Sequence, residues 1–215
     1  MQARCPSCAR LQQPRLFCSD CGAPLAVELD YFDVLGIPRQ LTLDPAQLEA
    51  LYHDLGRRVH PDRFANQPAP VRNASLAATA LLTRAFRTLR DPFSRGLYWL
   101  ELHGEKLARD NKEVPPELAE FIFEVQESLA ELQAGQVDGN DSDHVKKRVL
   151  SAKSDIQSLL KNAFAQLDQN YADWDNRVNH QADLIVKLKS VLSRIAYLRT
   201  LERDVGRVLE QHDLR

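Results

Sequence analysis

The stretch RRVHPDRFA, Arg57 to Ala65, decides how this chain is read. It lies where a strongly helical pattern stops. LDPAQLEALYHDLGRRV offers Asp44 as an N-cap, Pro45 at the first helical position and Gln47 three residues after the cap, a capping-box arrangement. Leu48, Leu51, Tyr52, Leu55 and Val59 recur at helical spacing and define one buried stripe. Pro61 ends the helix, because the residue before a proline is pushed out of the helical region. An imidazole, a rigid imino acid and a carboxylate thus stand side by side at a helix end. They are either a site for acid–base chemistry or a shaped handle that another protein reads.

Working outward, the polar loop ANQPAPVRN leads into a second helix that runs to about Arg90, with Leu82, Ala85, Phe86 and Leu89 as its inner face. The two helices form a hairpin with His60-Pro61-Asp62 at the tip. Upstream, DYFDVLG supplies Asp30 as a cap, a short apolar turn and Gly36 as a stop. Downstream, Asp91-Pro92 opens the helix SRGLYWLELHG, which Gly104 closes, and GEKLARDNKEVPP follows as a link.

Beyond Pro116 there are three long helical patterns and no strand-like alternation. The first aligns Leu118, Phe121, Ile122, Val125, Leu129 and Leu132 and breaks at GQVDGNDSD. The second uses Val145, Val149, Ala152, Ile156, Leu159, Ala163 and Leu167. The third runs from about Trp174 through Val178, Ile185, Leu188, Leu192, Ile195, Leu201 and Val208. Such segments pack most simply as an antiparallel three-helix bundle.

All the cysteines precede these helices, in CPSCARLQQPRLFCSDCG. Two Cys-x-x-Cys pairs separated by nine residues can each form a knuckle that aims two thiolates at one ion, so Cys5, Cys8, Cys18 and Cys21 complete a tetrahedral site. A segment this short buries little, and metal binding would supply most of its folding free energy. Zinc is favoured over a rubredoxin-like iron. A thioredoxin-type redox pair would need βαβ surroundings that are not there.

With 28 basic and 30 acidic residues the formal charge is -2, which gives a general nucleic-acid-binding role no support. Hydrophobic residues at 44% and charged residues at 27% fit a soluble globular protein. No apolar run approaches the roughly 18 residues of a membrane span, and the start of the chain does not resemble a signal or transit peptide. The expected compartment is the cytoplasm, where paired cysteines usually mean metal.

Catalysis by His60 and Asp62 would need an orienting partner and a pocket, and Pro61 is expected to make the two side chains diverge. There is no Gly-rich phosphate loop and no Ser-His-Asp arrangement, so the chain is not read as an enzyme. The wider context points to the handle. The capped helix, the basic Arg57, Arg58 and Arg63, the His-Pro-Asp tip and a second amphipathic helix together resemble a J-domain. More narrowly, DYFDVLGI at 30 to 37, RRVHPDRFA at 57 to 65 and TLRDPFSRGLYWLELHG at 88 to 104 resemble the HscB family of iron-sulfur co-chaperones. The vertebrate mitochondrial branch of that family also carries two Cys-x-x-Cys pairs in front.

The resemblance implies that His60, Pro61, Asp62, Arg57, Arg58 and Arg63 dock an HscA- or DnaK-type ATPase chaperone and trigger its ATP hydrolysis. His53 and Arg57 lie opposite the buried stripe, so a positive face would end at the rigid tip and steer the encounter. The first bundle helix offers a candidate second site, against which a solvated acidic face with one stray aromatic, or a Phe covered by the J-domain, stands as an equal alternative on the residues alone. Counted at about 100° per residue from Leu118, Phe123 points about 140° away from the core stripe, with Ala119, Glu120, Glu124 and Glu127 around it. An apolar centre with a charged rim is how a binding patch is built. The resemblance assigns this helix to an IscU-type iron-sulfur scaffold, with Tyr197 on the last helix completing the patch. The run LAEFI at 118 to 122 departs from the family's usual pattern, with Glu120 where methionine is common.

The expected fold is all-α: a tetracysteine zinc-ribbon-like module at 1–28, a J-domain at 29–104 and a C-terminal three-helix bundle at 105–215. Two rivals stand beside the scaffold-specific reading. A general J-protein would bind exposed apolar peptides of unfolded clients. A zinc-ribbon nucleic-acid binder would show steeply salt-dependent binding.

Overall fold

The computed structural model describes residues 2–107, 116–134, 139–176 and 181–211. The chain divides into two compact units, Met1–Tyr98 and Trp99–Arg215. This division leaves the cysteine segment with the hairpin helices and falls inside a helix, a few residues before the link expected after Gly104.

In the first unit, two short antiparallel strands, β1 (Ala3–Arg4) and β2 (Leu11–Gln12), flank the first Cys-x-x-Cys pair. The helix α1 (Tyr31–Leu35) begins where the Asp30 carboxylate accepts from the Phe32 N–H, and it ends at Gly36, whose φ of 67° is the left-handed conformation glycine adopts without strain. Tyr31 stacks on Tyr98 with ring centroids 4.3 Å apart, and its backbone N–H donates to the Tyr98 hydroxyl at 3.0 Å. Burial pushes that phenol up to about 12.

The hairpin is α2 (Pro45–Val59) and α3 (Ala69–Arg90). Asp44 caps α2 by accepting from the Ala46 N–H at 2.9 Å. Tyr52 of α2 stacks on Phe86 of α3 with centroids 4.1 Å apart. The expected inner face of α3 is buried, and Val71, Ala74, Ser75, Ala78 and Leu81 extend it. α3 starts earlier than the loop ANQPAPVRN suggested, at Ala69, because Pro70 sits in the first turn, where a missing N–H costs nothing. The next helix, α4 (Pro92–Leu102), is capped by the Asp91 carboxylate, which accepts from both the backbone N–H and the hydroxyl of Ser94. The buried Arg95 donates to the Leu89 carbonyl at 2.6 Å and fixes the turn between α3 and α4.

The second unit is built on α5 (Ala119–Ala134), α6 (Gly139–Asp175) and α7 (Gln181–Gln211). Its core joins Ile122, Val125 and Leu132 to Val149, Ile156, Ala163, Leu167 and Tyr171 of α6 and Leu188, Leu192, Ile195 and Leu198 of α7. Each fully buried side chain of this size contributes roughly 1.5–3 kcal/mol. Polar clamps sit at the edges: Glu131 of α5 pairs with Arg148 of α6 at 3.1 Å, and Arg194 of α7 bonds Gln166 of α6 and the Glu117 carboxylate.

Four sequence-based assignments change here. Trp174 belongs to the end of α6, not to the start of the last helix, because the apolar stripe runs on through Tyr171 and the rings of Trp99 and Trp174 meet edge to face at 5.6 Å. Leu160 is buried where Leu159 was expected, and Leu184 where Ile185 was; Leu159 and Ile185 are half-buried. The break expected at GQVDGNDSD is shorter, since α6 already runs from Gly139. Residues 135–138 of that break, most of the 104–116 link and Val178 lie outside the described residues.

Candidate functional site

The two cysteine knuckles repeat one local design. In the first, the Ala9 N–H donates to the Cys5 carbonyl at 3.0 Å and the Cys5 N–H to the Arg10 carbonyl at 2.9 Å; in the second, Gly22 donates to Cys18 at 3.1 Å and Cys18 to Ala23 at 2.8 Å. Each loop therefore closes with a residue at positive φ, Ala9 at 62° and Gly22 at 70°. The N–H groups of Ser7 and Cys8 point at the Cys5 sulfur, at 3.4 and 3.5 Å. Gln12 of β2 ties the second knuckle down by accepting from the Ser19 N–H at 3.0 Å. The four sulfurs all lie within 4.8 Å of one another, and the cross-knuckle pairs Cys5–Cys21 and Cys8–Cys18 are 3.5 and 3.6 Å apart.

Those separations fit a single tetrathiolate shell. Metal–sulfur bonds of about 2.3 Å in a tetrahedron put neighbouring sulfurs about 3.8 Å apart, whereas a disulfide would need about 2.05 Å. The chemistry of the donors agrees. The Cys21 and Asp20 backbone N–H groups pull the Cys18 thiol down to about 6. The Cys8 thiol goes the other way: the Arg10 N–H pulls it down, but desolvation and the thiols of Cys5, Cys18 and Cys21 push it up to about 12. Four thiols this close cannot all shed protons without a cation among them.

The hairpin tip is built from α2 and α3 together. At the end of α2 the Val59 carbonyl accepts from the buried Ser75 hydroxyl at 2.6 Å and from the Thr79 hydroxyl at 3.3 Å, both on α3. This replaces partners that the last turn of a helix lacks. From there Pro61–Phe64 forms a short 3-10 turn, stapled by the Arg63 N–H to the His60 carbonyl at 3.1 Å and by the Arg63 side chain to the Arg57 carbonyl at 3.4 Å.

Within that turn His60 and Asp62 do not diverge as expected. The Asp62 N–H donates to His60 Nδ1 at 3.3 Å, and a carboxylate oxygen lies 3.5 Å from the same nitrogen. The tight turn after Pro61 folds residue 62 back under the imidazole. Both side chains are exposed, at 55% and 90%, so the pair stands on open surface instead of in a pocket that would suit a general base.

The basic residues around the tip differ from one another. Arg57 is paired with Asp54 at 3.3 Å and His53 with Glu49 at 3.8 Å, so the outer face of α2 is mixed in charge and not uniformly positive. Arg58 instead lies over the ring of Phe17, guanidinium carbon to centroid 4.2 Å. A cleft of about 460 Å³ opens beside it, with Cys21 and Phe17 on the knuckle side and Arg58, Arg63, Phe64 and Gln67 on the tip side. No sequence signal marked this contact, which joins residues 41 positions apart.

On α5, Phe123 is 68% exposed, and Ala119, Glu120, Glu124 and Glu127 are exposed beside it, as the helical spacing expected. Glu124 and Glu127 also line a groove of about 470 Å³ along α6, with Arg148, Ser151 and Asp155 across from them. Tyr197 lies on α7, half-buried, its phenol pushed up by burial and by Asp204.

Against known proteins, no protein-family model matches the chain. The co-chaperone protein HscB homolog of Azoarcus sp. (strain BH72) is 38% identical over 128 residues, covering 58% of this chain and 72% of that protein. The chain belongs to the HscB family of co-chaperones. The human iron-sulfur cluster co-chaperone protein HscB is 28% identical over 197 residues, covering 90% of this chain and 75% of the human one. The crystal structure of human HscB superposes with a TM-score of 0.70 at 26% identity, over 95% of this chain and 97% of that one. HscB from Vibrio cholerae, at 23% identity and a TM-score of 0.61 over 85% and 99% of the two chains, shares the fold. The helical hairpin and three-helix bundle described above are therefore an HscB architecture: a J-domain followed by a C-terminal bundle.

Proposed function

We propose that this protein is a co-chaperone of iron-sulfur cluster assembly that binds an IscU-type scaffold on the Phe123 face of α5 and delivers it to an HscA- or DnaK-type ATPase chaperone. The chaperone docks at His60-Pro61-Asp62, aided by Arg57, Arg58 and Arg63, and ATP hydrolysis on the chaperone is stimulated. The protein itself is a regulator with no reaction of its own. The reading is carried by one observation: in a member of the HscB family, the His-Pro-Asp turn is exposed while the helix end just before it, at the Val59 carbonyl, is held by the buried Ser75 hydroxyl and the half-buried Thr79 hydroxyl of α3, as a docking element requires and a catalytic pair does not.

Stimulation demands differential binding. The tip must favour the hydrolysis-competent state of the chaperone, because equal affinity for both states would shift nothing. Glu120, Glu124 and Glu127 rim the Phe123 patch with negative charge, which suits a scaffold surface carrying lysine or arginine, and Tyr197 is the proposed contribution of α7. The ion held by Cys5, Cys8, Cys18 and Cys21 is proposed to be structural zinc in a reducing compartment such as the cytoplasm.

The test is single-turnover ATP hydrolysis by a purified DnaK-type chaperone with this protein, with and without an IscU-type scaffold. Synergistic stimulation is expected. Stimulation indifferent to the scaffold would make the protein a general co-chaperone for unfolded clients, and no stimulation would remove the docking role of His60-Pro61-Asp62.

A further inference from the structure

We propose that the cysteine knuckle is part of the chaperone-docking surface, with Phe17 acting as a positioning residue that presents the Arg58 guanidinium to a carboxylate of the ATPase chaperone. The inference rests on the docking role proposed for the hairpin tip.

The Phe17 ring is held by its backbone. Its neighbour Cys18 is a knuckle residue whose N–H donates to Ala23, and Phe17 itself bridges Pro24 across the second knuckle. Where that ring lies is therefore decided by the second knuckle loop. Arg58 sits on the last turn of α2, directly before the tip, with its guanidinium 4.2 Å above the ring centroid. A long arginine on an exposed helix end would otherwise sample many rotamers, and ordering it on contact with a partner costs free energy. An aromatic face fixes the guanidinium plane by cation–π attraction and leaves its N–H edge free to take a carboxylate.

The contrast with Arg57 sharpens the assignment: one turn residue is neutralised within its own helix by Asp54, while the next is held by a ring that cannot neutralise it. The room beside it is suited to a partner's side chain. The cleft of about 460 Å³ is lined by Arg58 and Arg63, by Phe64 and Val71, and, among the described residues, by no carboxylate. An acidic segment with an aliphatic neighbour would find both its charge and its apolar surface matched there. The knuckle thus does more than fold itself; its shape sets one wall of the docking surface.

The experiment compares the metal-loaded full chain with Phe17→Leu, Phe17→Tyr, Arg58→Ala and the Phe17→Leu/Arg58→Ala double variant. Affinity for a purified DnaK-type chaperone is read by calorimetry, and metal content and thermal melting are followed alongside. Leucine keeps the apolar bulk and removes the π face, so Phe17→Leu should weaken docking about two- to fivefold at unchanged metal content, and Phe17→Tyr should restore it. The double variant should be no weaker than Arg58→Ala alone, the non-additivity expected of coupled residues. Wild-type affinity in Phe17→Leu, or additive losses in the double variant, would overturn the proposal while the tip stays in place as a docking site. Wild-type protein that binds no chaperone, or binds it equally as Asp62→Asn, would instead overturn the docking role on which it rests.

Discussion

At the tip of the hairpin, the exposed residues are braced by contacts beyond their own helix: the Val59 carbonyl by Ser75 and Thr79 of α3, the Arg57 carbonyl by the Arg63 side chain, and the Arg58 guanidinium by a ring from the knuckle. Around Phe123 the exposed residues simply stand on the outer face of α5, and the packing is done by Ile122, Val125 and Leu129 on the opposite stripe. The first surface presents a fixed shape, and the second presents a chemical pattern on a regular helix. Stability and recognition should therefore be coupled at the tip and separable on α5.

The largest effect is expected at the cysteine knuckle, if a metal holds it as proposed. Chelation, or Cys18→Ser, should unfold the knuckle, since binding free energies of small structural zinc sites run to about 10–16 kcal/mol and replace a core the segment lacks. Limited proteolysis should then cleave within residues 2–28 while the helices of 31–98 stay protected. Protection unchanged on metal loss would mean that the small cluster of Cys5, Cys18, Ala23 and Leu25 suffices to hold the segment.

Next in size is the hairpin itself. Phe86 is buried and stacked on Tyr52, and Phe86→Ala should destabilise the first unit by about 3–5 kcal/mol, with docking lost as the two helices loosen. Because the chain holds two compact units, the reading belongs to hydrogen exchange of α2 and α3 amides and not to a single melting curve. Exchange accelerated equally in α6 and α7 would argue against independent units.

How far the sequence spoke for itself follows the same divide between local and distant information. The convergence of the four cysteines, the caps at Asp30 and Asp44, the stop at Gly36 and the exposure of Phe123 all depend on local sequence, and all were legible. The early start of α3 and the place of Trp174 were missed because Pro70 is equally compatible with loop and first turn, and because an apolar stripe does not announce where one helix yields to the next. The approach of His60 to Asp62 was misjudged, since the argument from Pro61 assumed extended backbone where a 3-10 turn forms. Nothing in the spacing of Ser75, Thr79 or Phe17 linked them to the tip. Such contacts arise only once two elements have packed, and a serine on a helix reads as surface until a carbonyl is found above it.

Ser75 gives an intermediate test of the comparison. It is fully buried and its hydroxyl is the shorter of the two bonds to Val59. Ser75→Ala leaves that carbonyl to Thr79 alone and should cost about 1–3 kcal/mol, together with weaker chaperone stimulation because the turn that follows Val59 loses its anchor. Thr79→Val should cost less, as its hydroxyl lies 3.3 Å from Val59 and also bonds the Ser75 carbonyl. Loss of stability without any change in stimulation would show that the tip keeps its shape unaided.

The smallest effect on stability, and the one that separates the two surfaces most sharply, is expected at Phe123. Its side chain is 68% exposed, so truncation to alanine removes little buried area and should change stability by no more than about 0.5 kcal/mol. As the apolar centre of a patch rimmed by Glu120, Glu124 and Glu127, it should nevertheless act as a hot spot, whose truncation costs about 2 kcal/mol or more of binding, some thirtyfold in affinity. Calorimetric titration of an IscU-type scaffold into Phe123→Ala should show that loss, while scaffold-independent stimulation of the chaperone stays at the wild-type level. Asp62→Asn should do the reverse. Were Phe123→Ala to lower stimulation in the absence of scaffold, the two surfaces would not be independent, and the division of labour between a shaped tip and a patterned helix would have to be given up.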